Sequence, residues 1–85
     1  MKPIILVGHP HICPIHGEGV VTSGASSASV NGIPIARVGD SISCGAVIET
    51  GSAITLIEGR AAAREGDTTS HGGTLIEGEP GWLIE

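Results

Sequence analysis

The side chains of this 85-residue chain that could bind a metal or act as nucleophiles are two cysteines and four histidines. Cys13, Cys44 and His71 each follow a short turn, built on Gly8-His9, Gly39-Asp40 and Gly66-Asp67. His11 and His16 flank the first cysteine in the run His11-Ile12-Cys13-Pro14-Ile15-His16-Gly17. Thiolate and imidazole donors at four corners of a tetrahedron are what zinc takes in structural sites. The predicted ligand set is Cys13, His16, Cys44 and His71, because the short spacer lets Cys13 and His16 chelate from one loop. His11 is the alternative, in place of one cysteine.

These residues can meet only if distant segments converge, and an internal repeat supplies the means. Asn31 to Gly45 lies over Glu58 to Gly72 at an offset of 27, with Gly, Ala-Arg, Gly-Asp, Ser and Gly recurring in register. The frame carries Gly51 onto Gly78 and, running backward, Gly24 under Gly51. Val7 to Cys13 matches Val38 to Cys44 once the insertion Pro14-Ile15-His16-Gly17 is allowed after Cys13. The chain reads as three copies of one unit. Three copies in a chain too small for three cores imply wrapping about one axis with pseudo-threefold symmetry; a linear stack of hairpins is the competing arrangement.

Each unit reads as short strands and tight turns. Asn31-Gly32 between apolar residues is a hairpin signal, since a type I′ turn needs positive φ at both central positions. Glu58-Gly59 fills the same slot less ideally. Strands are expected at Ser29-Val30, through Ala36-Arg37-Val38 and Val47-Ile48-Glu49, and in the runs Ile54 to Ile57 and Thr74 to Ile76. Fourteen glycines and an apolar set dominated by Ile and Val disfavour helix. With 40% hydrophobic residues but one aromatic, Trp82, the core must be aliphatic and thin. Domains this small usually need a disulfide, a metal or a partner.

The same composition excludes functions. Four Lys and Arg against nine Asp and Glu, a formal charge of -5, do not suit nucleic-acid binding. No apolar stretch approaches a membrane helix, and Met1 to Val7 is too short for a signal-peptide core. Synthesis in the cytoplasm follows, where a Cys13–Cys44 disulfide would not persist. Asp40 and Asp67 are expected to stabilise their turns rather than act as acids or bases, with Arg37 and Arg64 as their support. His9, at the equivalent place, is read as turn chemistry. A zinc hydrolase would need an open coordination position and a general base, and a His-Glu-x-x-His helix has no place in so glycine-rich a chain. The chain is therefore read as non-enzymatic.

Pro34-Ile35-Ala36-Arg37 and Ala61-Ala62-Ala63-Arg64, each preceding a Gly-Asp turn, resemble the motif of PAAR-repeat proteins. Cys13-Pro14-Ile15-His16-Gly17, Ser43-Cys44-Gly45 and Ser70-His71-Gly72-Gly73 are similar to that family's metal loops. The resemblance implies an all-β, cone-shaped domain of three strand-turn units, pinned by zinc near its apex, occupying residues 1–85 with no fused effector domain. It implies a non-enzymatic tip on the trimeric valine-glycine repeat (VgrG) spike of a type VI secretion system, one chain per trimer. Such a tip sharpens the spike for membrane puncture without stable insertion, and helps attach or deliver effectors. It would be cytoplasmic before firing and delivered outside the cell afterwards. A phage tail spike tip and a small zinc-binding carrier or sensor are the other readings. The family's sites commonly hold more histidine than this set, which keeps His11 in view. Trp82, in the run Gly81-Trp82-Leu83-Ile84, is read either as an anchor on the spike or as the residue closing the bottom of the core.

Overall fold

Backbone torsions at the two predicted hairpin turns set the local geometry from which the domain is built. Asn31 and Gly32 have φ of 52° and 82°, and Glu58 and Gly59 have 54° and 82°, the two left-handed residues that a type I′ turn requires. The computed structural model describes residues 2–15 and 17–85. Its strands are β1 (Lys2–Ile4), β2 (Pro10–Cys13), β3 (Gly17–Val20), β4 (Ser29–Val30), β5 (Ile33–Pro34), β6 (Leu56–Ile57), β7 (Arg60–Ala61), β8 (Thr74–Leu75) and β9 (Glu79–Ile84). The described residues contain no helix, so the fold is all-β.

The Asn-Gly turn joins β4 to β5 and the Glu-Gly turn joins β6 to β7, each an antiparallel pair. A third hairpin in the same register is made by the two ends of the chain. Ser29 opposes Pro34, Leu56 opposes Ala61, and in the corresponding place Leu83 of β9 opposes Pro3 of β1. Three equivalent hairpins therefore surround one axis, the third closed without a covalent turn.

The axis is defined by a ring of backbone hydrogen bonds. Ile5 N–H donates to Ala63 C=O at 3.0 Å, Ala63 N–H to Ala36 C=O at 3.0 Å, and Ala36 N–H to Ile5 C=O at 2.9 Å. Each copy thus donates to one neighbour and accepts from the other, which excludes a linear stack of hairpins. All three residues are fully buried. A second set of three caps the turns: Gly8, Gly39 and Gly66 donate at 2.8 Å to Val21, Ile48 and Leu75, which form the next buried layer. Chains pass so closely at the repeat-equivalent Gly24, Gly51 and Gly78 that a Cβ would lie 2.7 to 2.9 Å from a neighbouring carbonyl oxygen; these glycines are a packing requirement.

Wrapping around an axis explains where the strand expectations were too long. Arg37 and Ala62, Ile48 and Thr69, and Val21 and Ile42 meet as isolated bridges rather than ladders. Ala36 to Val38 and Val47 to Glu49 are consequently not continuous strands, and the runs at 54–57 and 74–76 shorten to Leu56–Ile57 and Thr74–Leu75. These bridging segments change neighbour after one or two residues, so their ladders stay short, whereas β2 keeps β3 over four pairs, from Pro10–Val20 to Cys13–Gly17.

The Gly-Asp turns are held by the predicted Arg–Asp pairs. The Asp40 carboxylate accepts from the Arg37 backbone N–H at 2.7 Å and from its guanidinium Nε at 3.1 Å. Asp67 repeats both contacts with Arg64 at the same distances. In the first copy Leu6 stands for the arginine, and His9 Nδ1 accepts the Leu6 N–H at 3.0 Å. The turn role assigned to His9 is what its imidazole performs.

Glu58 does more than fill a turn. Its carboxylate accepts from the Ser27 hydroxyl and backbone N–H and from the Ser26 hydroxyl, and it pairs with Arg37. The Ser27 hydroxyl leads in holding its pKa down, to about 2. A depressed carboxylate contributes stability that is present above its ordinary pKa and lost as pH falls through the folded value. The thermal-midpoint gap between wild type and Glu58→Gln is expected to be full at pH 6 and to close between about pH 4.5 and 2. A gap that stays constant down to pH 2 would show that the Glu58 charge is not what matters.

Candidate metal centre

Directly opposite Leu75, Val21 and Ile48 stand the three repeat-equivalent residues His11, Ile42 and Thr69, and two positions further along each copy come Cys13, Cys44 and His71. Cys13 ends β2 and is buried. Cys44 sits between Ser43 and Gly45, whose φ of 93° bends the chain back. The Gly45 N–H closes this turn on Ile42 C=O at 2.9 Å. His71 follows the same construction in the third copy, where the Gly72 N–H closes on Thr69 C=O at 3.0 Å. Cys44 and His71 are half-buried.

The rotation that relates the copies brings the three ligand atoms together. Nδ1 of His71 lies 3.8 Å from Sγ of Cys13 and 3.8 Å from Sγ of Cys44. All three atoms are within 4.8 Å of one another. Two ligands bound at about 2.3 Å for sulfur and 2.05 Å for nitrogen, at a tetrahedral angle, are separated by about 3.6 Å. The observed spacing fits that edge, and the donors are those of a soft or borderline divalent ion. Cys13, Cys44 and His71 could therefore hold a metal ion. His16, expected as the fourth ligand, lies outside the described residues.

His11 occupies a different place. Its Nε2 is 2.8 Å from the Thr69 hydroxyl, and it is buried in the layer beneath the cluster. Burial first, and then the neighbouring His71, lower its pKa, which favours the neutral ring. Its Nδ1 has no hydrogen-bond partner among the described residues. The imidazole fits this layer because Gly73 has no side chain: a Cβ there would lie 2.4 Å from His11 Nε2 and 2.5 Å from Ile12 C=O. Ala46, the equivalent residue in the second copy, has a Cβ and is fully buried. The Thr69 and Gly73 roles were not visible in sequence, since both depend on a partner 58 to 62 residues away. Their only signal is the repeat frame, which aligns a histidine, an isoleucine and a threonine in one layer.

A small all-β domain of three copies closed about an axis, with two thiols and an imidazole gathered at one layer, is a repeat-built domain carrying a candidate metal pin. The PAAR motif family model matches residues 1–50 and again residues 16–77, and overlapping matches to one model are what an internal repeat produces. The chain belongs to the PAAR motif family. A search of curated proteins returned no match.

Proposed function

We propose that this protein is the non-enzymatic tip of a type VI secretion spike, capping a trimeric VgrG protein with one chain per trimer. The observation that carries this reading is the ring of hydrogen bonds among Ile5, Ala36 and Ala63. It gives a single chain the threefold rotation of a trimeric fibre, so each protomer of the fibre can meet a near-identical edge. Equivalent hairpins β4–β5, β6–β7 and β9–β1 supply those edges. Exposed Leu56 and Leu83, related by the repeat, and Trp82 at 54% exposure, supply apolar contact. Trp82 therefore does not close the core, whereas Ile84 next to it packs inward.

The metal in this reading is zinc, held by Cys13, Cys44 and His71 with His16 as fourth ligand. Zinc pins the three copies together through Cys13, Cys44 and His71, and its binding free energy becomes folding free energy. A rigid, pinned point suits puncture of a membrane followed by passage rather than residence. The protein is then cytoplasmic until the system fires and leaves the cell on the spike, with effectors attached at the tip.

The test is native mass spectrometry after co-expression with a trimeric VgrG protein. One chain and one zinc per trimer is the expected mass. Three chains per trimer, or no complex, would overturn the capping role.

A further inference from the structure

We propose that Cys13 and Cys44 form an oxidisable dithiol, which holds a metal when reduced and closes to a disulfide between the first and second copies when a hydroperoxide reaches it. The two sulfurs are within 4.8 Å of each other, while a disulfide places them about 2.05 Å apart. The approach required is thus at most about 2.8 Å. The approach is assigned to the side chain of Cys44, which is half-buried in the turn between Ser43 and Gly45, whereas Cys13 is buried at the end of the β2–β3 ladder. The same asymmetry orders the chemistry. Cys44 is half-buried and meets solvent, and Cys13 is buried at 1% exposure.

The steps balance with hydrogen peroxide as oxidant. The Cys44 thiol attacks one peroxide oxygen and the O–O bond breaks, giving the Cys44 sulfenic acid and one water. The Cys13 sulfur then attacks the sulfenic sulfur, the S–O bond breaks and a second water leaves. In sum, two thiols and one peroxide become one disulfide and two waters. Burial of Cys13 keeps it from being oxidised separately and reserves it for the second step. The two states exclude one another, since a metal requires both sulfurs as separate ligands and the disulfide removes both from the ligand set. His71 takes no part in forming the S–S bond. The dithiol chemistry depends on cluster geometry alone, so it can be tested independently of the spike reading.

The experiment treats the full-length reduced chain, first stripped of metal and then loaded with zinc, with hydrogen peroxide. The metal-free chain is expected to lose 2 mass units as a monomer. Non-reducing tryptic digestion should link the peptide ending at Arg37 to the peptide Val38 to Arg60. The zinc-loaded chain should react at least about tenfold more slowly, releasing zinc in step with the loss of thiols. His71→Ala retains both thiols and should still form the link, which separates this chemistry from metal binding. Sulfinic acids on both cysteines, disulfide-linked dimers, or a rate no faster than that of the same chain in denaturant would each overturn the proposal.

Discussion

Replacing His71 with alanine is expected to abolish stoichiometric metal binding and to lower the thermal midpoint by about 12 to 24 °C, two losses from one change. His71 Nδ1 is the donor that faces both sulfurs at 3.8 Å, so its removal takes one corner from the cluster. An aliphatic core with Trp82 exposed leaves a thin margin. Losing about 3 kcal/mol of linked metal binding therefore moves a domain of this size by about 12 to 24 °C. His11→Ala separates the two histidine roles. It breaks the bond to Thr69 and opens a cavity beneath the cluster, so it should lower stability while metal content stays at one per chain. Loss of metal in His11→Ala with full metal in His71→Ala would exchange their roles. Inductively coupled plasma mass spectrometry and calorimetry on the same samples decide between them.

The second large effect concerns the turns. Arg37→Leu should cost about 3 kcal/mol, because it removes the guanidinium that pairs with both Glu58 and the buried Asp40 carboxylate, 4% exposed, and leaves Asp40 only the exposed Arg60 at 4.0 Å. Asp40→His should cost a comparable amount by removing the carboxylate that holds two nitrogens of the Arg37 guanidinium, leaving Glu58 as its ionic partner, and by placing an imidazole beside it. The first copy already contains this combination: Leu6 and His9 hold the same turn through a 3.0 Å bond from backbone N–H to Nδ1. The double variant recreates that solution in the second copy and should lose no more than about 2 kcal/mol, a coupling of several kcal/mol between the sites. Denaturant unfolding of the four proteins measures it. Additive losses would mean that the copies are similar in sequence without being equivalent in structure.

The repeat was legible because equivalent copies perform the same local work. Gly-Asp turns, Asn-Gly and the Ala-Arg positions each depend on contacts within a few residues, and these reproduce in register. The meeting of Cys13, Cys44 and His71 followed from the same frame, since residues related by a closed rotation must share a layer. What stayed hidden depends on partners distant in sequence. Glu58 read as a poor turn residue because its bonds to Ser26 and Ser27 cross 31 to 32 positions, and those bonds stabilise a non-glycine residue at φ 54°. Strand lengths were overestimated because apolar runs report burial, not how long one neighbour is kept. The third hairpin could not be read locally at all, since its two strands, β1 and β9, stand at opposite ends of the chain. His11 carried the chemistry of a ligand, yet it lies buried with Nε2 against the Thr69 hydroxyl, in the space left by Gly73.

The most direct test of the account is the metal content of the purified full-length chain by inductively coupled plasma mass spectrometry, read beside its thermal midpoint before and after chelation. One zinc per chain is expected, with a midpoint that falls when the zinc is removed and returns when it is restored. A chain with no metal, whose midpoint a chelator leaves unchanged, would contradict it.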